Sequence, residues 1–207
     1  MIYLIWWTPK CWKTTLTKIL SKSLQIPWVS TDTLQSVIKP YFNTNDLINN
    51  FPSSSQRCKD NDEKFSKFST NEIIDAYKIQ AKTLQKAIEM FILSEITDWN
   101  DFIIEWYHIE PEFVNEMNLK YPNKIKSVFI FKTNEKGFIE DIKKSSTPND
   151  WIISRTNYPE TYWKIAKMIC NYWSFFDKES KKYNMKSFSM DDNFEDKIQE
   201  IINYFKN

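Results

Sequence analysis

The residues best suited to chemistry follow directly on the first apolar run of the chain. Residues 2–5 are apolar, and positions 7–14 read Trp-Thr-Pro-Lys-Cys-Trp-Lys-Thr. A phosphate-binding loop has the pattern G-x-x-x-x-G-K-[ST] between a strand and a helix, and its backbone N–H groups surround phosphate oxygens. Both glycines of that pattern are tryptophan here, and every other part is present. The spacing predicts a site that binds the phosphates of a nucleotide, whereas Trp7 and Trp12 in place of the two glycines contradict that prediction.

Each residue of this loop has an expected role. Lys13 would reach the β- and γ-phosphates of ATP, and the Thr14 hydroxyl would ligate Mg²⁺. Because the loop uses backbone N–H groups, we assign Cys11 no redox role. The predicted ATP contacts are Trp7, Thr8, Pro9, Lys10, Cys11, Trp12, Lys13, Thr14 and Thr15. The alternative is an ordinary turn between a strand and a helix.

Glycine and tryptophan deviate from normal usage in opposite directions. The chain has one glycine, Gly137, and nine tryptophans, whereas average usage near 7% would give roughly 14 glycines. We interpret most tryptophans as glycines encoded by UGA in the source's own code. A tryptophan with φ > 0 is disfavoured by about 1–2 kcal/mol, and indoles at Trp6, Trp7 and Trp12 would compete with the phosphates for space. The alternative is a genuine tryptophan-rich loop without nucleotide binding. UGG codons at positions 7 and 12 would exclude the recoding.

Composition narrows the class of protein. The 207 residues suit one α/β domain over residues 1–207, and a net charge of +1 argues against a nucleic-acid partner. Cys11, Cys58 and Cys170 show no metal-ligand spacing, which suits a reducing cytosol. No charged leader segment and no apolar run of about 18 residues is present. We therefore expect a soluble cytoplasmic protein without a membrane partner.

Hydrophobic periodicity alternates between strand and helix along the chain. Apolar runs predict strands at residues 2–5, 28–30, 101–105, 127–132 and 185–190. Helical spacing predicts a helix at residues 13–24, a second helix that residues 31–32 cap and that stops before Pro40, and helices at residues 70–96, 112–120, 133–144, 159–183 and 194–205. Ser69 and Glu72 form a capping-box pattern before the third helix. This alternation predicts an α/β fold with a parallel five-stranded sheet and helices on both faces.

Two segments interrupt the alternation. Residues 41–69 are polar with scattered phenylalanines, and we expect a solvated insertion near the acceptor substrate. Arg57 within it could contact an anionic acceptor. Residues 145–158 are irregular and contain Arg155. A mobile lid often supplies an arginine to a transferring phosphoryl group, so we expect Arg155 in that role or as a plain surface arginine.

Two carboxylates follow predicted strands at the edge where open α/β sheets bind ligands. Asp32 would accept the proton of an attacking hydroxyl, or it would cap the helix that begins near Thr31. Glu105 would ligate Mg²⁺ or act as a base for the acceptor, or it would simply be a solvated strand end. His108, the single histidine, would have a surface or packing role or contact substrate.

With glycine at 6, 7 and 12, the first block reads GGTPKCGKTTLTKILSKSLQIPWVSTDTL. This block resembles the small P-loop kinases of the adenylate-kinase-like group, most closely proteins called 2-phosphoglycerate-kinase-like. Zeta-toxin-like and chloramphenicol-phosphotransferase-like proteins are also similar. The segments DFIIEWYHIEPEF, SRTNYPETYWKIAKMI and SMDDNFEDKIQEII resemble later blocks, so the likeness covers nearly the whole chain.

The resemblance implies a P-loop NTPase fold, a Walker B strand beside the first strand, a helical or irregular lid, ATP and Mg²⁺. Lys13 and Thr14 match the phosphate and metal residues, and Asp32 and Arg155 match the substrate-side acid and the lid arginine. Glycine or a small residue is also expected where Trp106, Trp163 and Trp173 stand.

We therefore expect a cytoplasmic ATP-dependent kinase that transfers the γ-phosphoryl group to a hydroxyl of a small-molecule acceptor. A non-catalytic binding module with the same fold is the alternative if the tryptophans at 6, 7 and 12 are genuine. A nucleic-acid kinase is disfavoured by the near-neutral charge and by the presence of only two arginines. The sequence assigns neither the acceptor nor an oligomeric state.

Overall fold

A computed structural model of the chain describes residues 1–7, 13–132, 134–144, 150–191 and 193–206. In this part of the chain five strands form one sheet, in the order β2-β3-β1-β4-β5. The strands are β1 (Ile2–Trp7), β2 (Trp28–Ser30), β3 (Phe102–Glu105), β4 (Ile125–Phe131) and β5 (Ser187–Ser189). All four pairings are parallel. The predicted five-stranded parallel sheet is confirmed.

Helices connect successive strands, as parallel pairing requires. They are α1 (Lys13–Leu24), α2 (Thr31–Ile38), α3 (Thr44–Asn50), α4 (Pro52–Ser55), α5 (Asn61–Lys67), α6 (Thr70–Thr97), α7 (Pro111–Lys120), α8 (Glu135–Lys144), α9 (Pro159–Lys182) and α10 (Phe194–Lys206). Among the described residues, no helix is long and apolar enough to cross a membrane.

The sheet has a hydrophobic layer on each face, because side chains alternate along a strand. Along β1, Leu4 and Trp6 lie in a cluster that includes residues of α6, α7, α8 and α9. Ile5 and Trp7 lie in a second cluster, formed with residues of α1 and α10. All four of these side chains are fully buried. The predicted covering of both faces by helices is confirmed.

The start of α6 agrees with the pattern in the sequence. The Ser69 side chain accepts a hydrogen bond from the Glu72 backbone N–H at 3.3 Å, and the Glu72 carboxylate accepts one from the Ser69 backbone N–H at 2.8 Å. This reciprocal pair satisfies two N–H groups that a helix start leaves unpaired. The predicted capping box is confirmed.

Residues 41–69 form three short helices that pack onto the body of the protein. Phe51 is fully buried and Phe65 nearly so, both in the first hydrophobic cluster. Asn61, also buried, donates to the Trp151 carbonyl and to the Thr156 hydroxyl, each at 2.9 Å. These contacts join the segment to the residues that precede α9. Although residues 41–69 are mostly polar, the buried rings of Phe51 and Phe65 hold the segment against the hydrophobic core.

Candidate functional site

The helix that follows the first strand begins where the phosphate-loop pattern requires. β1 ends at Trp7 and α1 begins at Lys13. The predicted ATP-contact residues Thr8, Pro9, Lys10, Cys11 and Trp12 lie outside the described residues, as do the side chains of Lys13, Thr14 and Thr15. The strand and the helix start therefore have the predicted order, at the edge where helix N-termini attract anions.

Strand register brings the two predicted carboxylates to this same edge. Glu105 is opposite Ile5 of β1 on one side and opposite Ser30 of β2 on the other. The backbone N–H of Trp106 donates to the Ile5 carbonyl at 3.0 Å. Asp32 follows Ser30 by two residues, so Asp32, Glu105 and the start of α1 share the carboxyl edge of neighbouring strands. The predicted placement of β3 beside β1 is confirmed.

For each carboxylate the structure excludes one of the two expected roles. Ser30 is the N-cap of α2, and its side chain accepts the hydrogen bond of the Asp32 N–H at 3.3 Å. The cap role of Asp32 is therefore wrong, because a shorter side chain one residue before the helix already performs it. Glu105 is 1% exposed. The expectation of a solvated strand end is wrong, because the end of β3 lies inside the sheet between β1 and β2 and the Glu105 side chain is buried.

His108 belongs to a buried polar network and not to the surface. The side-chain nitrogen of Gln80 donates to the Tyr107 hydroxyl at 2.6 Å and lies 3.3 Å from His108 Nε2. The other ring nitrogen, His108 Nδ1, is hydrogen-bonded to the Thr31 hydroxyl at 2.6 Å. Thr31 and His108 are fully buried. The network ties the first residue of α2, and hence Asp32, to α6 and to the turn after β3.

A cavity of about 200 Å³ opens beside Asp32. Met168, Ile169 and Tyr172 of α9 form its buried floor, and Trp151 lies at its exposed rim. The remaining lining residues are Asp32, Tyr77, Trp106 and Tyr107. Sequence reasoning missed Tyr77 and Tyr172, which occupy apolar faces of α6 and α9. The one sequence signal that could have found them is a tyrosine, instead of an aliphatic residue, on each of these two helix faces.

The phenol groups around this cavity are held in their neutral form. Burial, and secondly the charge of Asp32, raises the pKa of Tyr77 to about 12. Burial also raises the pKa of Tyr107 and of Tyr172 well above the ordinary value. All three hydroxyls therefore remain hydrogen-bond donors at neutral pH.

Arg155 is not brought to this cavity. It ends a short 3₁₀ turn, and its exposed guanidinium donates to the carbonyls of Cys58 at 2.7 Å and Lys59 at 3.1 Å. Arg155 thus joins residues 150–158 to the connection between α4 and α5. Its predicted contact with a transferring phosphoryl group stays a prediction.

The backbone at two tryptophans has the conformation of glycine. φ is 59° at Trp99 and 133° at Trp106. The other non-glycine residues with positive φ in the described part of the chain are one glutamine and three asparagines, and asparagine tolerates this region far better than a bulky residue does. The single glycine, Gly137, lies in α8 and at none of these positions.

The indoles of Trp6 and Trp7 lie in the two core layers. Trp6 stacks on Phe176 with ring centroids 4.0 Å apart, and Trp7 packs in the layer of α1 and α10. We expected these indoles to compete with phosphates for space, and the structure instead buries both completely. Both indole N–H groups lack a hydrogen-bond partner among the described residues. Leaving a buried donor unpaired costs about 1–3 kcal/mol.

The oxygen ligands at this edge suit magnesium. Glu105 offers a buried carboxylate on the strand beside β1, and Thr14 belongs to the first turn of α1. Hard oxygen donors of this kind are the ligands that Mg²⁺ prefers, with phosphate oxygens and water completing its shell. In the described part of the chain, no group of three or more His, Cys, Asp or Glu side chains could hold a metal ion by itself. The donor set therefore fits a metal ion that binds together with a nucleotide.

Comparison with solved structures identifies the fold. A shikimate kinase from Bacteroides thetaiotaomicron matches with a TM-score of 0.54 and 13% sequence identity, over 100% of this chain and 99% of that chain. A gluconokinase from Sinorhizobium meliloti 1021 matches with a TM-score of 0.50 and 8% identity, over 99% of this chain and 96% of that chain. No protein-family model and no curated protein sequence matches this chain. The chain shares the fold of these two kinases, and at such identities the likeness concerns the fold alone.

Replacing Thr31 by valine tests the buried network. Thr31→Val keeps the shape of the side chain and removes the hydroxyl that meets His108, so we expect the free energy of unfolding to fall by about 1–3 kcal/mol. Thr33→Val, an exposed change on the same helix, is the control and should stay within about 0.5 kcal/mol of the parent. Urea unfolding measures both variants. Equal stabilities would contradict the importance of this hydrogen bond.

Glu110, in the turn between β3 and α7, predicts a pH dependence of stability. Burial raises its pKa to about 7; Lys82 and Lys78 oppose the shift and Glu112 adds to it. A raised pKa stabilises the protonated folded state, so this contribution is present below about pH 4.5 and is lost as the pH rises through about 7. The loss amounts to about 3 kcal/mol, since one pKa unit corresponds to about 1.4 kcal/mol.

Urea unfolding at several pH values measures this effect. The stability of the parent should decline relative to that of Glu110→Gln between about pH 5 and pH 8. Glu116→Gln, at an exposed position of α7, should run parallel to the parent. Parallel curves for the parent and Glu110→Gln would show that Glu110 titrates normally.

Proposed function

We propose that this protein is an ATP-binding kinase that transfers the γ-phosphoryl group to a hydroxyl of a small-molecule acceptor. The order of the parallel sheet carries the proposal. It places the start of α1, which bears Lys13 and Thr14, at the same edge as Glu105 and Asp32. This edge of an open α/β sheet is where ligands bind.

Each residue has one task in this proposal. Lys13 and the N-terminus of α1 would hold the phosphates of ATP, and Thr14 and Glu105 would hold Mg²⁺, which would supply positive charge beside the transferring group. Asp32 accepts the proton of the acceptor hydroxyl as its oxygen bonds to the γ-phosphorus and the bond to the ADP oxygen breaks. Arg155 stabilises the phosphoryl charge after moving away from the carbonyls that it now binds.

The activity depends on glycine in the loop after β1. We propose that positions 6, 7, 12 and 106 are glycine in the protein made by its source. The glycine deficit, the phosphate-loop spacing and the φ of 133° at position 106 support this. Glycine at 6 and 7 would also remove two buried indole N–H groups that have no partner among the described residues.

A second function applies if the tryptophans are genuine. The complete burial of Trp6 and Trp7 in well-filled core layers favours it. The chain would then be a non-catalytic module with a kinase fold, whose remaining ligand site is the cavity beside Asp32. Loss of ATP binding together with an intact fold distinguishes this module from the kinase.

Replacing Lys13 by alanine tests the kinase proposal in the glycine-containing protein. Mg-ATP affinity should fall about 10- to 100-fold, since a hydrogen bond from a charged group to phosphate is lost, and ADP formation should stop. Lys18→Ala, an exposed change on the same helix, should leave both unchanged. Calorimetry measures binding, and a coupled assay measures ADP. Undiminished binding and turnover in Lys13→Ala would remove the phosphate-loop mechanism.

A further inference from the structure

A second cavity, of about 470 Å³, lies between α6, α9 and the start of α7. It shares no lining residue with the cavity beside Asp32. None of its lining residues is a tryptophan, and none has a task in the proposed phosphoryl transfer. Its volume is in the range of sites that bind small molecules. The cavity is therefore a separate place where a ligand could bind, whichever way the tryptophan positions are encoded.

One carboxyl group of this cavity is buried without being fully paired. Glu110 is 5% exposed, and its Oε2 accepts a hydrogen bond from Gln85 Nε2 at 3.2 Å. Its Oε1 accepts no hydrogen bond from any described residue, yet this oxygen is not among the polar atoms that are sealed from solvent. Because Glu110 lines the cavity, a ligand can reach it from there. A carboxylate oxygen in such surroundings gains most from a charged donor.

The charges around Glu110 do not fully offset its burial. Burial raises the pKa of Glu110 to about 7; Lys82 and Lys78 of α6 oppose the shift, and Glu112 of α7 adds to it. The Lys78 ammonium lies 4.0 Å from the centroid of the Phe175 ring. On the side of α9, burial and secondly the charge of Glu110 keep the Tyr172 phenol neutral. The two lysines thus stabilise the carboxylate only in part, and a further cation would stabilise it more.

Carboxylates outnumber cations in the lining of the cavity. The charged lining residues are Asp75, Glu110, Glu112 and Glu179 on one side of the balance, and Lys78 and Lys82 on the other. Glu179 is also paired with Lys182, outside the lining, at 3.6 Å. An anion would meet the two lysines but would add to the negative charge beside Glu110. A cation is favoured, because it stabilises the Glu110 carboxylate and lessens its repulsion with Glu112.

The cavity also has apolar surface next to this carboxylate. Ile79 is 47% exposed, the Phe175 ring is half-buried, and Pro111 begins α7. A hydrocarbon chain that covers these side chains removes apolar area from water. A single free oxygen suits an ammonium group, whose N–H bonds reach separate acceptors. A guanidinium prefers both oxygens of one carboxylate, and Gln85 already occupies one of them here.

We propose that this cavity binds a small primary aliphatic amine in its protonated form. The ammonium donates a hydrogen bond to Glu110 Oε1, and the hydrocarbon chain lies against Ile79, Pro111 and Phe175. The site is independent of the proposed kinase function, because none of its residues takes part in ATP binding or in phosphoryl transfer.

Calorimetry at pH 8 and constant ionic strength tests the ligand class. The probes are n-butylamine, 1-butanol and butyrate, which share a hydrocarbon chain of the same length and carry a positive, a neutral and a negative head group. Butylammonium should bind with one-to-one stoichiometry and at least about tenfold more tightly than the other two, since it alone makes a charge-assisted bond to the carboxylate. Equal binding of all three probes, or preference for butyrate, would overturn the proposal.

The pH dependence of binding tests Glu110 without any substitution. Butylamine stays protonated between pH 5.5 and pH 8, whereas Glu110, with a pKa of about 7, loses its charge as the pH falls. The amine binds the ionised form, so its affinity should be about 30-fold lower at pH 5.5 than at pH 8. An affinity that does not change with pH would contradict the assignment of Glu110.

The variant Glu110→Gln locates the site. It keeps the size of the side chain and removes the charge, so the affinity for butylammonium at pH 8 should fall at least about tenfold and lose its pH dependence. Glu116→Gln removes one exposed carboxylate from the same helix and should bind as the parent does. Urea unfolding confirms that both variants are folded. An equal loss of affinity in the two variants would show general attraction to a negative surface and would overturn the proposal.

Discussion

Parallel pairing of β1 with β3, and of β3 with β2, is the constraint on which the site depends. The register sets Ile5, Glu105 and Ser30 side by side, so the residues that follow each strand emerge at one edge. A slip of one residue would turn the alternating side chains of β1 to the wrong faces. The two hydrophobic layers oppose such a slip, because every side chain of β1 is buried in one of them.

Around that edge, buried polar contacts hold the loops in place. The Thr31–His108–Gln80 network connects α2, the turn after β3 and α6. Such a network orients its members well only when each hydrogen bond is satisfied. It gives Asp32 a defined position beside an aromatic cavity whose floor belongs to α9. Arg155 and Asn61 connect the neighbouring segments further from the edge.

Much of this arrangement could be predicted from local pattern. The boundaries of α1 and β2 agree with hydrophobic spacing, and the position of β3 beside β1 follows from the strand that ends in Glu105. Contacts between distant residues could not be predicted. No residue near His108 in the sequence indicates that its ring contacts the Thr31 hydroxyl. Tyr77 and Tyr172 come into contact only because α6 and α9 cross the same face of the sheet. Serine and aspartate are both good N-cap residues. Ser30 is the cap because the strand ends at this residue and the helix begins at the next one.

The proposed phosphate-binding chemistry depends on whether the positions written as tryptophan are glycine in the protein. A backbone with φ of 133° at position 106 has a conformation that glycine adopts without strain, and the phosphate-loop pattern requires glycine at 7 and 12. The most direct test is peptide mass measurement on the protein purified from its source. We predict glycine at positions 6, 7, 12 and 106. Tryptophan at positions 7 and 12 would contradict the account.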